Sequence, residues 1–454
     1  MNNDSPQAAS NQFFKTRLGV IAATVGSAVG LGNIWRFPYE AGNNGGAAFL
    51  FVYIFFVVAI GIPVICAEFV IGRSTRRNIA GAFRELHAGF PWNLPAGTGL
   101  LASFLIMGFY SVVAGWTIYY LYESFSGFGG IAETAQLHER FDAFTQTPWK
   151  SLVCTLLFLL VNFLVISRGI RNGIEKFSNI MMPLLVVILL AFCINSLFLP
   201  GAKEGLSFLF SPDFSKITPG VVLSAMGQAF FSLSVGMGTL ATYASYFNDR
   251  TPLVRTASVT AVSDTIVAIL AGIMIFPAVF SFGIQPEAGP RLVFEVLPSI
   301  FMKIPLGALW STLFFILLFM ASLTSTISMT EVSTSYIIQE WQLSRKKAVV
   351  VNAIIVTVLA VICALSFSVL SGIKIAGMTF FNLSDFLVSN ILMPLGGMFI
   401  SAFVGWRLER RVLRRQLTPE GHSARTPRYI SLIVFSLKYV TPVCIFLVFI
   451  FGLL

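Results

Sequence analysis

The sequence predicts an all-α polytopic membrane protein: eleven transmembrane helices in a five-plus-five inverted repeat, with helices 1 and 6 broken at mid-span. Three observations carry this. Eleven apolar segments are long enough to cross a bilayer, the basic residues gather in alternate connections, and a glycine-rich tetrapeptide in the first segment recurs in the sixth. Composition sets the class, since 56% of the 454 residues are hydrophobic and only 11% are charged, against about 25% charged in soluble proteins.

A spanning helix needs about 20 mostly apolar residues. Such segments cover roughly 18–40, 46–71, 97–123, 150–166, 177–199, 219–246, 257–283, 305–339, 348–369, 381–406 and 430–453. With the N-terminus cytoplasmic, the inner segments hold 22 of the 30 lysines and arginines. They are Lys15 and Arg17; Arg73, Arg76, Arg77 and Arg84; Arg168, Arg171 and Lys176; Arg250 and Arg255; Arg345, Lys346 and Lys347; and a basic run from Arg407 to Lys438. That bias fixes the orientation, and the odd number of spans puts the C-terminus outside. It also accounts for the net charge of +10 without a nucleic-acid partner.

Residues 1–16 are too polar to read as a signal peptide. The five cysteines lie in apolar runs and read as packed free thiols. The three histidines, His87, His138 and His422, are far apart in polar segments. Metal-ligand spacing is absent, as is any nucleophile–base set or cofactor motif, so an enzyme is not expected.

Val29-Gly30-Leu31-Gly32 recurs as Val235-Gly236-Met237-Gly238, with Ser27 and Ser234 shortly before. The first span runs outward and the sixth inward, which is the pattern of inverted repeats whose broken helices meet at the midplane. Either glycine pair alone also fits close helix packing, as in Gly26-x-x-x-Gly30; two copies at corresponding positions favour the breaks. A break at membrane depth is tolerated only where it lines a protein cavity, and its freed carbonyls and amides suit a small ion or a zwitterion. The chain divides accordingly into an N-terminal cytoplasmic segment (1–16), a first repeat (17–200), a second repeat (201–410), a basic cytoplasmic loop (411–429) and an eleventh helix (430–454) outside the repeat.

Several polar residues at membrane depth need a reason. Asp264 in the seventh span is a costly carboxylate of the kind that usually serves function, or else it is a partner for a nearby hydroxyl. Asn33 and Ser232 offer neutral oxygens that suit a hard cation beside it. In the eighth span, the carbonyl of Ala321 and the hydroxyls of Thr324 and Ser325 share one helix face and make half an ion cage; the bland alternative is hydroxyls bonded back to preceding carbonyls. Tyr110 reads either as a donor to a carboxylate or as a packed aromatic. Arg36 and Asp385 lie near the outer mouths of their spans, as a closing pair or as unconnected interfacial residues. Glu68 reads as part of a structural network.

Arg17-Leu18-Gly19, the stretch Gly26 to Pro38, Asn44-Gly45-Gly46, Gly227 to Ser234 and Thr242-Tyr243-Ala244-Ser245-Tyr246 closely resemble the neurotransmitter:sodium symporter family, over about residue 15 to at least 406. The likeness is greatest to its bacterial eleven-span members. The resemblance implies the leucine-transporter-like fold, a plasma (inner) membrane location and sodium-driven amino acid uptake by alternating access. It implies one sodium site from Ala28, Asn33, Ser232 and Asp264, completed by the substrate carboxylate, and a second from Gly26, Val29, Ala321, Thr324 and Ser325. It places the substrate carboxylate against the backbone of Leu31 and Gly32 with Tyr110, and the amine against carbonyls near Ala28, Phe231, Ser232 and Ser234. Ile106, Val113, Phe231, Met237 and Met329 line the side-chain pocket with Ser325 at its edge, and Arg36, Asp385 and Phe231 form an outer gate. A monomer suffices for such transport; the oligomeric state is not implied.

The same resemblance tunes the expectation. Gly30 stands where monoamine carriers have an aspartate, so the substrate must bring its own carboxylate. Met237 and Met329 replace stiffer residues of a leucine-carrying relative, and flexible thioethers fit varied apolar shapes, so hydrophobic amino acids including aromatic ones are expected. Asp264 and Ala268 stand where chloride-dependent relatives have Asn and Ser, which implies chloride independence and, further, protonation of Asp264 on the return step. Gly173 and Pro183 match an element that unwinds at the cytoplasmic end of the fifth span. The family's inner-gate Arg and Asp are replaced by Asn11 and Gln339, so amide bonds, or Lys15 with Glu340, would have to close that end. An osmolyte or other zwitterion carrier and a non-transporting sensor are the competing functions.

Overall fold

The computed structural model describes residues 13–87, 89–130, 134–283, 292–418 and 427–453. Among the described residues nine helices are long and apolar enough to cross a membrane: Ala47–Thr75, Leu94–Phe125, Pro148–Ser167, Ile170–Leu197, Leu253–Ser281, Gly307–Glu340, Arg345–Leu365, Phe380–Arg407 and Arg428–Leu453. A tenth span is the pair Arg17–Ala28 and Gly32–Asn43, bent by 53° at its break. Pro219–Ser232 and Thr239–Ser245, too short alone, supply the sixth. These are the eleven segments read from the sequence, with ends moved by a few residues. Short helices between them include Ile79–Glu85, Thr134–Gln146, Ala202–Phe210 and Arg410–Leu417.

Both breaks fall on the repeated tetrapeptide. In the first span the helix stops at Val29, whose ψ of 116° is extended, and a π-helical turn over Gly32–Arg36 restarts it. In the sixth, Ser234, Gly236 and Gly238 have φ of 52°, 92° and 75°. Two of these three left-handed positions carry glycine, which has no Cβ to clash there. Ser234 adopts one with a side chain, and its hydroxyl donates to the Ser27 carbonyl at 3.3 Å, tying one break to the other.

The spans form two sets. The third, fourth, eighth and ninth pack on one another, and so do the first, second, sixth and seventh, with the fifth and eighth against the first half-helix. Shifting every span by five maps each set onto itself, as an inverted repeat requires. Glu68 of the second span holds the sixth open: its Oε1 accepts from the Gly236 amide at 2.7 Å and its Oε2 from the Ala241 amide at 3.1 Å. It thereby satisfies an orphan donor at the start of Thr239–Ser245 and meets the positive end of that helix.

The fifth span is wound in this conformation. It begins at Ile170 with a π-helical turn to Glu175 and runs on as α-helix through Pro183, with no unwound segment between Gly173 and Pro183. The local weakness of Gly and Pro is outweighed by packing against the first half-helix, where Glu175 and Met182 approach Gly19 and Gly26.

Candidate functional site

The oxygens at the first break are brought together by a single amide. Asn33 Oδ1 accepts from the Gly30 amide at 3.0 Å, taking the place of a lost helical acceptor. Its Nδ2 donates to Ser232 Oγ at 3.0 Å and to Asp264 at 2.7 Å (Oδ1) and 3.1 Å (backbone O). Ser232 donates to the other carboxylate oxygen at 2.7 Å, and Tyr53 of the second span reaches it at 3.4 Å. Asn33 and Asp264 are fully buried. Turning the Asn33 amide over would present oxygen in place of nitrogen, leaving a carboxylate, an amide oxygen and a hydroxyl in one dry place. Among the described residues no cluster of His, Cys, Asp and Glu could hold a metal; one charge among neutral oxygens is the kind of donor set that suits a hard cation.

A second group joins the first and eighth spans. Ser325 Oγ donates to the Val29 carbonyl at 2.9 Å. Thr324 bonds back to the carbonyls of Ala321 and Met320, each at 3.1 Å. Thr324 thus follows the back-bonded reading of the hydroxyl run, while Ser325 turns to the carbonyl of the first break. Gly26 completes the face, since a Cβ there would lie 3.5 Å from Thr324 Cβ.

Between the two groups lies a small cavity of about 20 Å³, walled by Ala28, Gly30, Gly32, Ile106, Tyr110, Phe231, Ser232, Ser234, Met237, Ser325, Met329 and Met393. Leu31 takes part through its amide, which donates to Tyr110 Oη at 3.1 Å. Val113, on the third span one turn beyond Tyr110, is buried but not on the wall. A Cβ at Gly30 would overlap Ser325 Oγ and lie 3.1 Å from Tyr110 Oη, so a side chain there would have to displace the Ser325 hydroxyl.

Arg36 and Asp385 do not form the expected pair in this conformation. Arg36 pairs with Glu40 at 3.7 Å, one helical turn on, and its guanidinium lies 4.1 Å from the Phe231 ring centre. Asp385 accepts from Ser389 at 3.1 Å. A neighbour in sequence and an aromatic face satisfy the arginine before the more distant acid does.

The opposite end, where the basic segments gather, is held by a buried ion pair and by the segment before the first span. Glu331 is fully buried; Arg345 holds it at 3.0 and 2.5 Å, and Tyr246 Oη donates to it at 2.9 Å. The Tyr246 carbonyl accepts from the Phe14 amide at 3.2 Å, and Phe14 packs edge-on against Tyr243. Glu175 takes the amides of Lys15 and Thr16 at 2.8 and 3.0 Å. Lys15 and Glu340 do not meet: Glu340 pairs with Arg84. Gln339 Oε1 accepts from the Asn78 amide at 2.8 Å. Asn11 lies outside the described residues.

Sequence reasoning missed Tyr53, Met393 and the pair Glu331–Arg345. Tyr53 and Met393 sit in unbroken apolar helices with nothing local to mark them. A glutamate among the hydroxyls of the eighth span and an arginine opening the ninth were visible, but their meeting depends on how the spans pack.

Comparison with known proteins follows the geometry. The model of the Sodium:neurotransmitter symporter family matches residues 11–128 and 131–454. The chain is 37% identical over 434 residues to the uncharacterized sodium-dependent transporter YhdH of Bacillus subtilis (96% of each chain), and 25% identical over 452 residues to the sodium-dependent dopamine transporter of Bos taurus (88% of this chain, 63% of the other). A crystal structure of MhsT in complex with L-phenylalanine superposes with a TM-score of 0.87 at 44% identity, covering 97% of this chain and 99% of that one.

Proposed function

The chain belongs to the Sodium:neurotransmitter symporter family, and from that premise we propose that it couples the inward sodium gradient to uptake of hydrophobic and aromatic L-amino acids by alternating access, without chloride. The observation that carries this is the buried set Asn33–Ser232–Asp264 beside a cavity whose wall has glycine at position 30 and no acid.

One sodium ion sits on that set with the Ala28 carbonyl and the substrate carboxylate. The second sits among Gly26, Val29, Ala321, Thr324 and Ser325. The amino acid lies between them, its carboxylate at Leu31, Gly32 and Tyr110, its amine toward Ala28, Phe231, Ser232 and Ser234. Its side chain enters the apolar part of the wall, where Met237, Met329 and Met393 can rearrange around different shapes. The phenylalanine held by MhsT supports this substrate class. The fixed charge of Asp264 supports chloride independence. Arg36 and Asp385 close the outer side after substrate enters. The basic end faces the cytoplasm of a multi-pass inner-membrane protein with its C-terminus outside, and residues 17–200 and 201–410 are the two inverted repeats.

The test is uptake of labelled tryptophan, leucine and glycine into proteoliposomes in chloride-free buffer, with and without an inward sodium gradient. Sodium-dependent accumulation of tryptophan or leucine is expected. Accumulation of glycine alone would overturn the pocket assignment, and none at all would overturn amino acid transport.

A further inference from the structure

A second, larger cavity of about 740 Å³ lies outside the proposed transport site, at the basic end. That size falls in the range of about 300–1,000 Å³ usual for small-ligand sites. It runs from the helix Ile79–Glu85 along the first turns of the third span to Leu392 of the tenth. Leu94, Gly97 and Leu101 of the third span form one wall at helical spacing; Leu94 and Leu101 are 36% and 50% exposed. Gly97 hollows the slot, since a Cβ there would meet nothing within 4 Å.

The mouth has a different chemistry. Arg84 lines it with a side chain 65% exposed, paired to the mostly buried Glu340. Arg77, just before the helix Ile79–Glu85, is not on the wall but its charge reaches Glu340; it is exposed and, among the described residues, engaged by no ion pair. Phe90, 82% exposed, stands beside the mouth just before the apolar span begins at Leu94. An apolar slot entered at the membrane–water boundary beside Arg84, with Arg77 across Glu340 from it, complements an amphiphile with an anionic head, and basic pockets between spans at this level take lipid phosphates.

We propose that this cavity binds an anionic phospholipid of the adjoining leaflet, one acyl chain lying along Leu94–Leu101 and the phosphate resting on Arg84 and Arg77. Glu340 takes one arginine's charge, so Arg77 leaves the mouth cationic. A zwitterionic lipid lacks the net charge to use it.

The full-length protein is reconstituted in vesicles carrying photoactivatable acyl-chain phosphatidylglycerol or phosphatidylcholine, cross-linked, and mapped by peptide. Phosphatidylglycerol is expected to label the 90–101 peptide at least fivefold more than phosphatidylcholine. Arg84→Gln should lower that labelling about fivefold, as one surface arginine contributes. Gly97→Trp, which grows into open space, should abolish it, with Gly97→Leu as the smaller alternative. Labelling of exposed positions on Arg428–Leu453 should stay unchanged in every variant, which reports an intact fold. Equal labelling by the two lipids, or wild-type labelling of Gly97→Trp, would overturn the proposal.

Discussion

Arg345→Met removes the cation from the ion pair at the basic end. In the wild type the guanidinium holds Glu331 at 3.0 and 2.5 Å and the Ile166 carbonyl at 2.9 Å. Without it, the buried Glu331 carboxylate keeps only the Tyr246 hydroxyl at 2.9 Å. Removing one partner of a buried pair costs about 3–5 kcal/mol. Tyr246 also anchors Phe14, so the loss falls on the arrangement that closes this end. At about 1.4 kcal/mol per decade, the population opened there rises from roughly 100-fold to several-thousand-fold. Amide exchange follows such local opening. Peptides covering 13–28 and 239–246 should therefore exchange faster by that factor, while peptides of Leu292–Phe301 change little. Adding Glu331→Leu should restore most of the protection, because an apolar pair leaves no charge stranded. Exchange in Arg345→Met within about threefold of wild type would refute the reasoning.

Three further outcomes are expected. Tyr110→Phe deprives the Leu31 amide of its acceptor, at about 1–3 kcal/mol for a buried donor, so substrate affinity in equilibrium binding should fall by roughly 5- to 150-fold. Asp264→Asn keeps the shape of the Asn33–Ser232 set but not its charge; sodium titrations should shift to higher concentration and chloride-free uptake should fall, partly recovered by chloride, and normal chloride-free uptake would refute the role given to the carboxylate. Glu68→Gln keeps one oxygen for the Gly236 and Ala241 amides and turns an NH2 toward the other, a loss of about 1–3 kcal/mol that should lower the thermal denaturation midpoint and weaken substrate binding together.

Features set by local chain chemistry were legible before any coordinates. Length and hydropathy mark each span because a bilayer admits only a helix whose backbone bonds are satisfied within it. The two tetrapeptides mark the breaks because positions 236 and 238 need a left-handed backbone that glycine adopts without strain. Asp264, Asn33 and Ser232 stood out as polar groups in an apolar context, and the structure places them within hydrogen-bonding reach. Where reading stopped short, the cause was competition between partners. Arg36 had a nearer acid in Glu40, and Glu340 had Arg84.

By itself, then, the sequence determined that this chain spans a membrane in eleven helices, that two of them break at mid-depth, and that an isolated acid and several hydroxyls gather near the breaks. Those follow from periodicity, backbone conformational preference and the cost of burying polar groups. Only the tertiary structure decided which groups meet: Tyr53 and Met393 at the cavity and its neighbouring carboxylate, Arg345 on Glu331, and helical winding through Pro183. Each of these is a choice among partners far apart in sequence, and packing distance settles such choices where residue type and spacing do not.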